Sequence, residues 1–339
     1  MTDVKASELG AETAVPEERW IARRGPVVLA IVSFVILCNV VLSQAPKMIE
    51  PDPYAYRASI YALADGNVNL NQKQYNELSL RLMKTPLGGG IMQWHQQPDG
   101  QWVSEKNPGY PFLAVLFKKL GALRLAPLFF GVFGCIGLWF GAKRWIGEWG
   151  AAFAVSMYCS ASAAMVFAWR ETMPTFTDTS LLACGIGLLI WAVLSVERRI
   201  RIRVIVGSLA FFSLGLAMFV RYTSITVLVV AALFAAFACS VTRWGLPRWA
   251  LAIWASVVLV PVGMALCFNA IYYGSFTKTG YLPGVIGFSL SAIPTSIREL
   301  PWRLAEAMPV FLVALAAIVV MVRLQLNLRK VQVGSEEVG

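Results

Sequence analysis

The acidic side chains of this 339-residue chain avoid its apolar segments and lie in polar stretches, turns and tails. Glu50 and Asp52 open the longest polar stretch, residues 47–106, and Asp178 lies in a later one. A carboxylate in such a place can act as a general base. Basic residues that could bind an anion occupy the same stretches, namely Lys106, Arg170, Arg221 and Lys278.

The elements that must position these residues are membrane helices, because the composition is far from that of a soluble domain. Hydrophobic residues make up 58% of the chain, charged residues 14%, and the mean hydropathy is +0.63. A helix needs roughly 20 apolar residues to cross a hydrocarbon core of about 30 Å. We therefore predict an all-α polytopic membrane protein with about eight transmembrane helices. The predicted spans are residues 26–45, 124–142, 149–168, 179–196, 204–220, a sixth that ends near Val241, 250–272 and 301–323, with only a tight turn around Gly147 between the second and the third.

The basic residues of the short connections indicate how these spans are oriented. The arginines before the first span, Lys143 with Arg144, the arginines from Arg198 to Arg203, and the cations after the last span all fall on one side. Such residues favour the cytoplasm, so both termini are predicted to be cytoplasmic and residues 47–106 to lie outside, in a bacterial inner membrane. The net charge of +10 then reflects orientation and a match to anionic membrane lipids, and not nucleic-acid binding.

The chain is predicted to form one membrane domain between two disordered tails. The tails are residues 1–18 and 331–339, and the domain is residues 19–330 with an outer loop at 46–123. The six cysteines all fall in predicted spans without paired spacing, which indicates packing residues and not disulfides. No carboxylate falls in the middle of a span, where ion-coupled carriers usually place one. A site at the outer membrane surface therefore fits better than a transport path.

The outer loop is predicted to contain surface helices and a small hairpin. Asp52 followed by Pro53 is typical of a helix start, with the acid as N-cap. Farther along, Pro98-Asp99-Gly100 favours a tight turn between two strands. The predicted elements are helices at residues 52–64, 71–84 and 111–121 and strands at 91–97 and 101–104.

The order of these parts resembles the polytopic glycosyltransferases of the GT-C fold, in particular the group that includes protein O-mannosyltransferases and the aminoarabinose transferases of lipid A. In that group the first span is followed by an acid, a Tyr- and Ala-containing helix, a strand-like aromatic piece and a proline-rich entry to a surface helix. Two departures are that Glu50-Pro51-Asp52 replaces an adjacent Asp-Glu pair and that many relatives continue beyond eight spans. The matching parts, within residues 26–281, are 52–66, 106–111, 173–179, and Asn269 with 272–281.

The resemblance implies transfer of a sugar from a polyprenyl-phosphate donor to a lipid, glycan or protein acceptor of the cell envelope, on the non-cytoplasmic face. It implies that Asp52 is the general base, with Glu50 beside it and Asp178 as a further acid of the site. Inversion at the sugar carbon is expected from a single displacement. The residues expected to bind the phosphate of the donor are Lys106, Arg170, Arg221 and Lys278.

Simpler interpretations of these residues stay open. Asp52 and Asp178 could be only helix caps, Arg221 could be only a membrane anchor, and the lysines could be ordinary surface residues. Glu50, Asp52 and Asp178 could also hold magnesium or manganese, although the sequence does not require a metal. Two other functions are open as well: a non-catalytic accessory subunit of a membrane complex, and a carrier or flippase for lipid-linked substrates.

Overall fold

The structure is a computed structural model that describes residues 16–43, 51–82, 91, 93–170, 172–241 and 244–280, together with positions 294, 298, 299 and 302. The chain divides into two compact units, Met1–Tyr281 and Leu282–Gly339, and all contacts given below belong to the first. Glu50, the C-terminal tail and, apart from position 302, the predicted eighth span lie outside the described residues. Of the predicted N-terminal tail, residues 16–18 belong to a helix and residues 1–15 are not described.

The described part of the chain is almost entirely helical. Six of its segments are long and apolar enough to cross a membrane: Arg24–Ser43, Leu125–Ser160, Pro174–Leu194, Ile200–Val220, Tyr222–Ser240 and Trp249–Tyr273. The chain is therefore an all-α polytopic membrane protein, as predicted. Its helices are α1 (Pro16–Ser43), α2 (Pro51–Ala64), α3 (Gln72–Leu82), α4 (Gly109–Lys119), α5 (Leu125–Ser160), α6 (Ser162–Trp169), α7 (Pro174–Leu194), α8 (Ile200–Val220), α9 (Ile225–Ser240) and α10 (Trp249–Tyr273).

Helix α5 is two antiparallel segments joined at Gly147. This glycine has φ 82° and ψ −178°, which interrupts the helix. The Sγ atoms of Cys135 and Cys159 lie 3.7 Å apart, whereas a straight helix would separate these positions by about 36 Å. The chain therefore reverses direction at Gly147, where the sequence predicts a turn. The first seven predicted spans each have a helical counterpart in the described residues.

Close packing of α5 against α7 depends on small residues. A Cβ atom at Gly137 would lie 2.3 Å from the Cα of Cys184, and one at Gly141 would lie 2.7 Å from the Cα of Gly187. Such contacts between small residues let membrane helices approach closely, since lipid tails supply no hydrophobic drive for their association. This packing fixes α7, the helix that carries Asp178.

The predicted surface elements are present between α1 and α5. Strands β1 (Trp94–Gln96) and β2 (Trp102–Ser104) form the antiparallel hairpin, with Gly100 at φ 82° in its turn. Trp102 stacks on Tyr75 of α3, with ring centroids 3.9 Å apart. Helix α4 packs on α2 through an edge-on contact between Tyr110 and Tyr56. Helices α2, α3 and α4 and the hairpin therefore form a folded surface layer with its own apolar core.

Contacts between loops define the end of the bundle that lies opposite this layer. Arg144 is ion-paired with Glu197 and also donates to the carbonyl oxygen of Leu194. The buried Arg203 donates to the carbonyl oxygens of Ala192, Val193 and Trp244. The hydrogen bonds to Ala192, Val193 and Leu194 occupy carbonyls at the C-terminus of α7, which have no partner within the helix. The basic connections therefore meet at one end of the helices.

Candidate functional site

Asp52 and Lys106 form an ion pair at the surface layer. The Nζ atom of Lys106 lies 2.9 Å from Oδ1 of Asp52, and Gln93 donates from Nε2 to the same oxygen at 2.8 Å. The side chain of Lys106 is only 8% exposed, whereas that of Asp52 is 42% exposed. Helix α2 begins at Pro51, so Asp52 is its second residue, in the first turn, and the predicted role of Asp52 as N-cap is wrong. Its carboxylate is held by residues distant in sequence.

The backbone around Lys106 is fixed by contacts with two membrane helices. The Tyr273 hydroxyl at the end of α10 lies 3.1 Å from the carbonyl oxygen of Ser104 and 3.2 Å from that of Lys106. A Cβ atom at Gly109 would lie 2.0 Å from the carbonyl oxygen of Phe219 in α8, so this position requires glycine. The segment that carries Lys106 is therefore held against the ends of α8 and α10.

The electrostatic environment keeps Asp52 ionised. Partial burial raises the pKa of its carboxyl, but the hydrogen bonds from Lys106 and Gln93 and the charges of Lys106 and Arg221 outweigh this effect. The net pKa of Asp52 therefore lies below its ordinary value. A carboxylate in this state is ready to accept a proton, although its basicity is reduced as long as Lys106 remains beside it.

Gln93 is a site residue that the sequence did not reveal. It has φ 61°, the one positive value among the described residues other than glycine. Its Nε2 atom faces Asp52, and its Oε1 atom is buried without a hydrogen-bond partner. A backbone conformation of this kind costs on the order of 1–3 kcal/mol and is typical of functional sites. No local sequence motif predicts a glutamine in such a conformation. Gln93 can therefore be recognised as a site residue only from the fold.

A second acid, Asp178, lies near the same end of the bundle and is buried. Asp178 is 6% exposed, and its Oδ1 accepts a hydrogen bond of 2.6 Å from the Ser224 hydroxyl. Helix α7 begins at Pro174, so Asp178 is inside the helix and the predicted role as a cap is wrong. A proline at the first helical position is favourable there and explains the earlier start. Arg221 exerts its positive charge on both Asp178 and Asp52.

The residues that follow Arg221 connect the end of α8 with that of α10. The short 3₁₀ helix Tyr222–Ser224 supplies the partner of Asp178 and also presents Tyr222, whose hydroxyl donates to Oδ1 of Asn269. Nδ2 of Asn269 donates to the carbonyl oxygen of Phe276 at 3.3 Å. This turn therefore organises the polar end of the bundle, a role that a three-residue connection did not suggest.

The structure brings together only part of the predicted site. Asp52, Lys106, Arg221 and Asp178 belong to one electrostatically linked group. Arg170, half-buried just after α6, and Lys278, exposed after α10, are not among the partners resolved for Asp52 or Asp178 in the described part of the chain. Glu50 lies outside the described residues.

The described acids do not fit a divalent metal site. No group of three His, Cys, Asp or Glu side chains with suitable placement is present among the described residues. Oδ1 of Asp52 is already in contact with an ammonium group, and Oδ1 of Asp178 accepts a hydrogen bond from Ser224. A hard cation would have to displace a positive charge from Asp52. The arrangement favours binding of an anion over binding of a metal.

No family model, curated protein or solved structure matches this chain. A half-exposed carboxylate, a buried ammonium and a guanidinium at one end of a helical bundle can remove a proton and stabilise a negatively charged leaving group.

Proposed function

We propose that the chain is an integral-membrane glycosyltransferase that moves a sugar from a polyprenyl-phosphate donor to a hydroxyl of an envelope lipid, glycan or protein. The observation that carries this proposal is the pairing of Asp52 with Lys106, beside Arg221, at one end of the bundle. The exposed part of Asp52 is accessible to an acceptor, and Lys106 can donate to a phosphate.

In the proposed reaction, the acceptor oxygen attacks the anomeric carbon and the bond from that carbon to the phosphate oxygen breaks. Asp52 takes the proton of the acceptor hydroxyl, and the phosphate leaves with the bonding electron pair. Lys106 and Arg221 stabilise the negative charge of the leaving group. Attack from the side opposite the phosphate inverts the configuration of the sugar carbon.

The Lys106 ammonium group links donor binding to the strength of the base. Without a donor, its charge lowers the pKa of Asp52. A phosphate that draws the ammonium toward itself removes part of this effect, so the pKa of Asp52 rises when the donor is bound. In this proposal the carboxylate becomes a stronger base only in the complex that reacts.

The proposed orientation places this site on the non-cytoplasmic face of a bacterial inner membrane, with both termini in the cytoplasm. Its support is the meeting of Arg144, Arg203 and their partners at the end opposite the surface layer, because basic connections favour the cytoplasm. The eighth span at residues 301–323 belongs to this proposal, since an even number of spans returns the chain to its starting side.

The proposal is tested by supplying the purified chain with a set of polyprenyl-phosphate sugars and candidate acceptors. We expect release of polyprenyl phosphate and a product of inverted anomeric configuration, measured by mass spectrometry and NMR. A product of retained configuration would exclude the single displacement. If no donor gives turnover, the result would favour one of the two other functions, a non-catalytic accessory subunit or a carrier for lipid-linked substrates.

A further inference from the structure

Three basic side chains from three helices surround Tyr61 of α2. Lys118 of α4 places its Nζ atom 4.0 Å from the ring centroid, and the guanidinium carbons of Arg57 and Arg81 lie at 5.5 Å and 5.1 Å. Tyr61 is nine residues after Asp52 in the same helix, a separation of about 13 Å along the axis. The cluster is therefore distinct from the Asp52 group.

Two of the cations converge on the phenol oxygen. Nη2 of Arg57 lies 3.4 Å from the Tyr61 hydroxyl oxygen, and the charge of the Lys118 ammonium over the ring also acts on this oxygen. Partial burial raises the pKa of Tyr61, but the hydrogen bond from Arg57 and the charges of Arg57 and Lys118 outweigh this, so the net pKa lies below its ordinary value. The electrostatic potential at this oxygen is therefore positive, which favours a bound anion.

Arg81 has its own counter-charge, since it donates to Oδ2 of Asp65 at 2.7 Å. Arg57 and Lys118 both lie beside Tyr61, Arg57 at its hydroxyl and Lys118 over its ring. A guanidinium has five N–H donors and an ammonium has three, so both can bind a further acceptor while they keep their present partners. A phosphate group has several oxygens and matches such a set of donors.

Lys118 belongs to an amphipathic helix that adjoins a membrane-spanning one. Helix α4 carries Phe112 and Leu116, which are 38% and 59% exposed and project from one face, and Leu120 directly after the helix is 70% exposed. Lys118 is two residues from Leu116 and so projects from the opposite side. Phe117 packs on Phe129 of the membrane-spanning α5, with centroids 5.3 Å apart. An apolar face beside basic residues is typical of helices that lie among lipid headgroups.

We propose that Arg57, Tyr61 and Lys118 bind the phosphate of an anionic phospholipid headgroup, on the side of α4 that lies opposite its exposed apolar face. The ligand is a membrane lipid and not free phosphate because a helix at the membrane surface turns its apolar face toward the acyl chains and its opposite, basic side toward the headgroups. The site adds a lipid-binding function to the surface layer and does not depend on the proposed sugar transfer.

The test compares thermal unfolding of the full-length chain in uncharged detergent micelles with added phosphatidylglycerol, phosphatidylcholine of the same acyl chains, or inorganic phosphate. We expect phosphatidylglycerol to raise the unfolding midpoint of the parent by about 3 °C or more, and the other two additions to leave it nearly unchanged. Lys118→Gln should lose most of this shift. Lys73→Gln, which removes an 86%-exposed lysine of α3, is the matched control and should keep it.

Tyr61→Phe provides a second variant that keeps the ring and removes only the hydroxyl. Native mass spectrometry counts bound phosphatidylglycerol on each variant, and this readout does not require equal stability. We expect fewer bound lipids on Lys118→Gln and Tyr61→Phe than on the parent and Lys73→Gln. Equal shifts with the two lipids, or a full phosphatidylglycerol shift in Lys118→Gln, would overturn the site. An equal effect of inorganic phosphate would overturn the lipid as its ligand.

Discussion

The buried ammonium of Lys106 lies 2.9 Å from Oδ1 of Asp52 and joins the entry of one surface helix to the first turn of another. This pair connects α4 and α2, and the hydroxyl of Tyr273 fixes the backbone of Lys106 from the end of α10. The position of the carboxylate therefore depends on elements from both ends of the chain segment Pro51–Tyr273. A small movement of α10 relative to the surface layer changes the environment of the proposed base.

Lys106→Met should raise the pKa of Asp52 toward the ordinary value of about 3.9, because it removes a hydrogen bond and a positive charge. In the parent, the depressed pKa stabilises the fold above the unfolded-state pKa, and this stabilisation is lost as the pH falls through the folded-state pKa. The variant should therefore show a weaker loss of stability on acidification below about pH 4. The measurement is the thermal unfolding midpoint of parent and variant between pH 3 and pH 7. The same dependence of the unfolding midpoint on pH in parent and variant would contradict the ion pair of Lys106 with Asp52.

Gln93→Ala and Gln93→Gly separate the strain at this position from its hydrogen bond. Both remove the donor to Asp52, but glycine adopts φ 61° without steric cost. We expect Gln93→Gly to be more stable than Gln93→Ala by about 1 kcal/mol, measured by unfolding in detergent. Both should lower the transfer rate relative to the parent. Equal stability of the two variants would show that the backbone there is not strained.

Gly109→Ala should destabilise the chain by about 2–4 kcal/mol or displace α4, because the added methyl group meets the backbone of Phe219 and not a side chain that can move. Gly263→Ala is the matched control, since a Cβ atom there meets nothing within 4 Å. In the control, the better helix propensity of alanine should leave stability equal or slightly higher. The difference in unfolding midpoint between the two variants is the measurement, and no difference would exclude the close approach of α4 to α8.

Ser224→Ala should cost about 1–3 kcal/mol, because it leaves the buried carboxylate of Asp178 without the hydroxyl that donates to it. Ser240→Ala removes an exposed serine hydroxyl that bonds only to its own helix, and it should be nearly neutral. Equal destabilisation by the two changes would show that the contact between Ser224 and Asp178 contributes little.

Cysteines introduced at Asn76 and Arg198, both exposed, should be labelled from opposite sides of the membrane. We expect a membrane-impermeant thiol reagent to reach Asn76→Cys from the non-cytoplasmic side, whereas Arg198→Cys should react only after the membrane is permeabilised. The parent chain is the control, because it shows how much label its native cysteines take up. Labelling of both positions from the same side would overturn the orientation.

Local signals in the sequence predicted much of the fold. Length and hydropathy gave the membrane helices, and the glycine at 147 and the Pro98-Asp99-Gly100 turn marked reversals that are present. The predicted helix starts were less accurate. The fourth span was predicted to begin at residue 179, whereas α7 begins at Pro174. Local patterns carry no information on that shift, since the polar Thr177 and Asp178 become buried by packing of α7 against its neighbours.

The candidate site was predictable only where charge and position coincide. Asp52, Asp178, Lys106 and Arg221 stood out as charged residues between apolar spans. Gln93, Ser224 and Asn269 did not, because neutral polar residues are common in loops and their roles come from contacts over long sequence separations. Asp52 and Gln93 meet only after the hairpin folds back on α2.

The central claim is that Asp52 is the general base of sugar transfer from a polyprenyl-phosphate donor, and Asp52→Asn tests it most directly. Asparagine keeps the shape of the side chain and cannot take the proton. We expect kcat to fall by about 10²–10⁴-fold in a protein that stays folded, with an unfolding midpoint below that of the parent because the buried ammonium of Lys106 loses its counter-charge. Glu77→Gln, a change at an exposed acid of α3, should leave kcat unchanged. Transfer by Asp52→Asn at the rate of the parent would contradict the mechanism.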